Sequence, residues 1–176
     1  MDFISLADGV AGYVQRTEDI VENGVHTITY SGVELKGLAS KRIVIPPEGK
    51  AYEYYRKSPE YVIANLINNH IISPTDASRK MFGSIAAYEE QDLKITYNGR
   101  FCNLAEEIEE LATAYNIGWC ASIINNAIVW QIWHGVDRTA AQTANNRMIL
   151  DYEYGTMNNS SLIVEDGIPT FMLVAG

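Results

Sequence analysis

The residues best placed by type to carry chemistry are a cysteine, a histidine and a short polar run. Cys102 stands directly before Asn103, which opens a helix, and a helix N-terminus favours a thiolate. With His134 as its base it is the best nucleophile candidate in the chain. His134, Asp137 and Arg138 fall together in "WHGVDRTA". Glu106, Glu107, Glu109 and Glu110 bring four carboxylates onto one helix. Each group has a plainer reading. A Ser-His-Asp or Cys-His site needs side chains gathered by the fold, and no G-x-S-x-G, P-loop, G-x-G-x-x-G or H-E-x-x-H pattern accompanies these. The four carboxylates sit mostly in the first two turns, where negative charge is favourable, and read as a solvated face. Cys102 and Cys120 are far apart, and with three scattered histidines they make no zinc signature, so buried free thiols are expected.

These side chains hang on elements that the pattern predicts. "GYVQRTEDIVENGVHTITYSG" reads as a hairpin turning at Asn23-Gly24, because both residues accept positive φ. Val25, Thr27 and Thr29 then point one way and His26, Ile28 and Tyr30 the other. His26 lies within that strand and reads as structural. "VELKGLAS" is a short helical turn or loop, followed by a brief strand from Arg42 to Ile45 that Pro46-Pro47 stops. "SPEYVIANLINNHI" is a helix with Ser58 as N-cap, Pro59 in the first position and Glu60 at the positive end of the dipole. Ile63, Leu66, Ile67 and His70 share its stripe, which makes His70 a packed residue rather than a metal ligand. "SPTDASRKMFGS" is a surface loop with one helical turn, and "LKITYNGRF" a strand. "NLAEEIEELATAYNIG" is the second helix, capped by Asn103, with Leu104, Ile108, Leu111, Ala112 and Tyr115 as its apolar face and Gly118 as its end.

Trp119 to Ile124 and Ala127 to His134 form a second hairpin around Asn125-Asn126. Ile128, Trp130 and Ile132 share one face, while Val129, Gln131 and Trp133 share the other. Both faces are largely apolar, so this hairpin is covered on both sides or meets another chain. His134, Asp137 and Arg138 are then its polar exit, with Arg138 pairing with Asp137 or a neighbouring strand for about 0–1 kcal/mol. The stretch from Met148 onward carries further strand-like segments and stops on the apolar "FMLVAG".

The chain has 176 residues, 47% of them hydrophobic, which is enough for a full core. Its net charge of −9 opposes binding to nucleic acid or an anionic membrane. The one basic cluster, Lys36 to Lys57, reads as a solvated loop region. No apolar run approaches the length of a membrane span, and the start lacks the form of a signal peptide, so synthesis and folding in the cytoplasm are expected.

Taken in order, these segments resemble the tail hub or baseplate proteins of long-tailed phages (siphophages), including prophage tail proteins. The resemblance rests on Gly32, Leu35, Gly37, Leu38, Arg42, Ile43, Val44, Pro46 and Pro47 after the first hairpin. The helix at 58–71, "RFCNLAEEIEELATAYNIGWCASI", and Gly135, Asp137, Arg138 and Thr139 extend it. It covers most of residues 12–176. It implies an α+β fold of mixed, mainly antiparallel sheets, partly β-barrel-like, with two principal helices. It also implies one tail-hub-like domain over 1–176, a fragment of a longer protein, with 58–118 as its helix-containing α/β portion. The function it implies is structural: a virion tail component, made in the bacterial host cytoplasm, that joins copies of itself, as a homo-oligomer (trimer), to other phage tail or baseplate proteins. No enzymatic activity, catalytic residue, metal or cofactor is expected, and neither nucleic acid nor a membrane span. Trp130, Trp133 and Tyr152 are the expected interaction surface. The competing reading is a hydrolase or a carbohydrate-binding module of a tail-tip protein, with Trp119, Trp130 and Trp133 stacking on sugar rings.

Overall fold

A computed structural model describes residues 3–5 and 11–149. The chain forms two compact units, Met1–Gly135 and Val136–Gly176, where the sequence reading takes 1–176 as one domain. The first unit is α+β, with three small sheets and two α-helices; no closed barrel forms among the described residues.

The first sheet has the order β1-β2-β3 and is antiparallel: β1 (Phe3–Ser5), β2 (Ala11–Glu22) and β3 (Val25–Glu34). Asn23 and Gly24 both take positive φ, 50° and 79°, the left-handed pair that a tight two-residue hairpin needs. Val14 opposes Gly32 but Arg16 opposes Ser31, so Gln15 is the extra residue of a β-bulge. A 3-10 turn, Leu35–Lys41, drops Leu35, Leu38 and Ala39 into the core. The expected strand Arg42 to Ile45 reduces to an isolated bridge of Ile43 with Asn103, flanked by Val44 N–H to Cys102 O and Phe101 N–H to Val44 O. Pro46 and Pro47, without N–H groups, leave no ladder to extend.

The second sheet pairs β4 (Glu53–Lys57) with β6 (Ile95–Gly99). Between them lies α1 (Pro59–Ile67). The Ser58 hydroxyl accepts from Tyr61 N–H, and Pro59 fills the first turn where its missing N–H is not needed. Helix α1 runs into a π-helical turn, Asn68–Ile72, that carries His70 inward. Buried Val62, Ile63, Leu66 and Ile67 make α1 the centre of the core. The surface loop with one turn appears as a short 3-10 segment, Ala77–Arg79.

Helix α2 (Leu104–Ala114) is capped by Asn103, whose Oδ1 accepts from Ala105 and Glu106 N–H. The Asn103 Nδ2 donates to Ser40 O, so one side chain closes the helix and ties it to the 3-10 turn. Leu104, Ile108 and Ala112 are buried against α1. The helix ends through Asn116, at φ 56°, and not at Gly118. Gly118 belongs to β7 (Ile117–Ile124), where it faces Trp133 of β8 (Ala127–His134); a Cβ there would overlap the Trp133 indole. The third sheet, β5-β8-β7, adds β5 (Ser84–Ile85) parallel to β8. Asn125 and Asn126, both at positive φ, turn the β7–β8 hairpin.

The described part of the second unit is a loop held by its own groups. Asp137 accepts from Thr139 N–H at 2.8 Å, Asn145 Nδ2 donates to Asp137 O, and Met148 N–H donates to Arg138 O.

Asn103→Ala should lower stability by about 1 kcal/mol, the usual loss for an N-cap. Urea denaturation followed by far-UV circular dichroism measures it, with the transition moving to lower urea and its slope unchanged.

Candidate assembly surface

Beyond Val14 the β2–β3 hairpin stands as a two-stranded arm, because β1 reaches only Ala11, Gly12 and Tyr13 at its base. Every residue of β3 is exposed. Pairing places Thr17 with Tyr30, Asp19 with Ile28 and Val21 with His26, so these six share one face. Val21, Ile28 and Tyr30 make that face apolar, at 65%, 49% and 57% exposure. His26 bonds Asp19 at 2.6 Å in its midst. The opposite face carries Arg16, Glu18, Ile20, Glu22 and Val25, with Arg16 and Glu18 paired at 3.1 Å. A two-stranded hairpin on its own has too little side-chain contact to be more than marginally stable in water.

The base of the arm is fixed by shape. At Gly32 a Cβ would run into the Tyr13 carbonyl, so only glycine lets the strands close there. Tyr13 itself is buried, with Gln15 donating to its hydroxyl and Lys41 over its ring.

Two polar clusters pin α1 beneath these sheets, and neither was read from the sequence. At its C-terminal end, Glu53 of β4 and His70 of the π turn are both buried and bonded at 2.5 Å. Glu53 also accepts from the Tyr55 hydroxyl and from Asn69 Nδ2. Burial opposes ionisation of Glu53, yet the bonds from His70 and Tyr55, the His70 charge and the Asn69 bond outweigh it, and its carboxyl titrates below the ordinary 4.5. Burial and the Glu53 carboxylate push the Tyr55 phenol up. The pair floors a cleft of about 520 Å³ rimmed by Pro46, Asp76 and Arg79. At the N-terminal end, Glu60 is fully buried, its Oε1 3.0 Å from His134 Nε2 but out of line for a hydrogen bond. Gln91 completes this cluster: its N–H donates to Glu60 Oε2, and its side-chain amide meets His134 Nδ1 at 2.9 Å. Ser58 donates to Glu90 at 2.6 Å, so the irregular stretch after β5 is strapped over the helix start.

The candidates for chemistry scatter. Burial raises the Cys102 thiol, and its bond to Glu107 raises it further, which overrides the helix N-terminus. His134 is bonded at Nδ1 by the Gln91 side chain, and its Nε2 lies 3.0 Å from the Glu60 carboxylate. Asp137 caps Thr139 and makes no ion pair with Arg138. Among the described residues no group of three or more His, Cys, Asp or Glu is placed to hold a metal ion. Trp130, expected on the interaction surface, is instead wholly buried: it stacks on Trp119 at 6.2 Å and 9° between planes, under the third sheet. Strand β5 adds beside β8, and the inward phase that β8 shares with Ile132 carries Trp130 with it. Trp133, on the opposite phase, is 47% exposed. Tyr152 lies outside the described residues. The hidden signal was Glu53: a carboxylate in a short, charged segment looks like surface until His70, seventeen residues on, is placed beside it.

His70→Ala should lower stability by on the order of 3–5 kcal/mol, because it leaves a buried carboxylate without its main partner. The pH dependence carries its own sign. The Glu53 pKa is depressed in the fold, so its contribution is present above the ordinary 4.5 and is lost as pH falls through the lower folded value. Acid titrations followed by near-UV circular dichroism should therefore show the wild-type core failing below about pH 4.5 and the variant failing sooner.

No curated protein and no solved structure is similar to this chain at a significant level. Among the described residues no helix is long and apolar enough to cross a membrane. A family model does match, over residues 5–176, across the arm, both helices and the β7–β8 hairpin, and the chain belongs to the Siphovirus ReqiPepy6 Gp37-like protein family.

Proposed function

We propose that this phage-family protein is a structural component of the tail tip or baseplate hub, and that it acts by joining copies of itself and other tail proteins. The observation that carries the reading is the β2–β3 arm, ten exposed residues of β3 with an apolar face and no cover among the described residues. Trp133 adds an exposed aromatic near the end of β8. Buried His70 and half-buried His134 support the same reading. His70 and His134 are committed to Glu53 and Glu60 and hold α1 in place, a role in support rather than turnover. The Trp119–Trp130 stack fills the core, which removes those two rings from any sugar-stacking platform. The protein is read as non-catalytic and as part of the virion tail.

Tails purified from phage particles should contain this chain in a fixed ratio to the tail-tube protein, and antibody labelling should mark one end of the tail. A particle population with complete, infective tails lacking the chain would reject the reading. Replacing both Val21 and Val25 by Lys should leave the thermal melt of the isolated protein within a few degrees, because both side chains are solvent-exposed. The same double variant should fail to complement a deletion in plaque assays.

A further inference from the structure

The arm has two open edges, and they differ. Residue Glu22 pairs with Val25 across a two-residue turn, and such a closing pair exchanges both its hydrogen bonds. Bonded positions then recur at every second residue, so Val25, Thr27 and Thr29 bond back to β2. The amides and carbonyls of His26, Ile28 and Tyr30 point to the open edge, where β3 has no strand partner among the described residues. The open edge of β2 is guarded by charge, with Arg16, Glu18, Asp19 and Glu22 along it. From Val25 to Val33 the β3 edge has no Lys, Arg, Asp, Glu or Pro, in a chain whose net charge is −9. Neither a charged residue nor a proline guards that stretch against edge pairing.

The order of residues on that edge says what fits it. Read outward from Ile28, "VHTITYS" nearly mirrors itself: Thr27 and Thr29, then His26 and Tyr30, then Val25 and Ser31. An antiparallel copy centred on Ile28 sets Ile28 against Ile28, each His26 ring against a Tyr30 ring, and each Thr27 against a Thr29. Aromatic pairs and Thr–Thr pairs are favourable cross-strand neighbours. All three outward-facing residues meet outward-facing residues in that register, so every open amide and carbonyl finds a partner. No like charges face each other, although the two chains are strongly acidic.

We propose that β3 pairs antiparallel with β3 of a second copy of this chain, centred on Ile28, to make a four-stranded sheet from two arms. The proposal rests on reading the arm as an assembly surface and names its occupant. Symmetry of this kind presents the same surface from both chains and closes on itself. The apolar rows of Val21, Ile28 and Tyr30 from the two copies then lie on one side of that sheet.

The test uses the full chain in isolation, apart from any tail. Sedimentation velocity across a concentration series should show a monomer–dimer equilibrium. Residue-resolved hydrogen exchange should show the amides of His26, Ile28 and Tyr30 slowing by roughly tenfold or more as dimer forms, while Thr27 and Thr29 change little. Ile28→Pro removes an outward-facing N–H and should abolish the dimer; Tyr30→Lys, which keeps the backbone amide, should weaken it. Near-UV circular dichroism of both variants reports whether the core remains folded, and wild-type exchange alone decides the matter if either variant is not. A chain that stays monomeric, a dimer in which the three outward amides exchange as fast as in monomer, or protection that appears only on adding another tail protein would overturn the proposal. A chain absent from tails, by contrast, would reject the functional reading and leave this pairing standing.

Discussion

A carboxylate with almost no access to water must find its hydrogen-bond donors in the chain, and Glu53 finds three of them, on His70, Tyr55 and Asn69. That requirement fixes much of the first unit. It sets the end of β4 against the turn that follows α1, and so sets the angle at which α1 enters the core. The π-helical turn is part of the same arrangement, since its wider winding lets consecutive Asn69 and His70 both reach the one carboxylate. At the other end of α1, Glu60, His134 and Gln91 repeat the device with different elements, joining helix, strand end and strap. Buried ion pairs add little net stability over apolar contacts of the same shape, but they discriminate sharply against misplacement. The Glu53–His70 pair at one end and the Gln91 bond to Glu60 at the other hold α1 in its seat.

The contrast with the arm is one of solvent. Around α1 the carboxylates of Glu53 and Glu60 have been drawn inward, where His70, Tyr55 and Asn69 donate to the first and the Gln91 N–H to the second. On β2 and β3 the polar backbone of one whole edge is left facing out, and apolar side chains accompany it. Among the described residues of this sheet the buried side chains, Ala11 and Tyr13, lie at its base, and β3 above them is exposed throughout. A rigid base and an open arm suit a protein whose work is to be one piece of a larger body.

Local signals in the sequence were strong where a residue answers to its own neighbours. Asn23-Gly24 and Asn125-Asn126 announce both hairpins because positive φ is a property of the residue itself. Ser58-Pro59 and Asn103 announce both helices because a cap serves an N–H two or three residues away. Legibility failed where the deciding contact is distant. The β4 segment, "EYYRK", carries charge at both ends and looks like loop; it is a strand because Glu53 faces inward to His70. Gly118 looks like a helix stop, yet the stop is Asn116, and glycine is there to seat Trp133. Trp130 looks like half of an exposed aromatic face because nothing nearby in sequence reveals that Trp119 will stack upon it. The Arg42–Ile45 segment has the residues of a strand but beside it runs only the short turn Phe101–Leu104, which pairs as a single bridge.

The β-bulge at Gln15 has a consequence for how this molecule can change over generations. It absorbs one odd residue at the point where the buried base gives way to the open arm, so Ala11 and Tyr13 keep their inward phase whatever lies beyond. Opposed couples gained or lost two at a time above it would keep every side chain on its own face and alter only the arm's reach, by about 6.8 Å for each two couples. Span is thus a trait that lineages can tune in small steps without renegotiating the interior, much as a carpenter lengthens a tenon without recutting the beam.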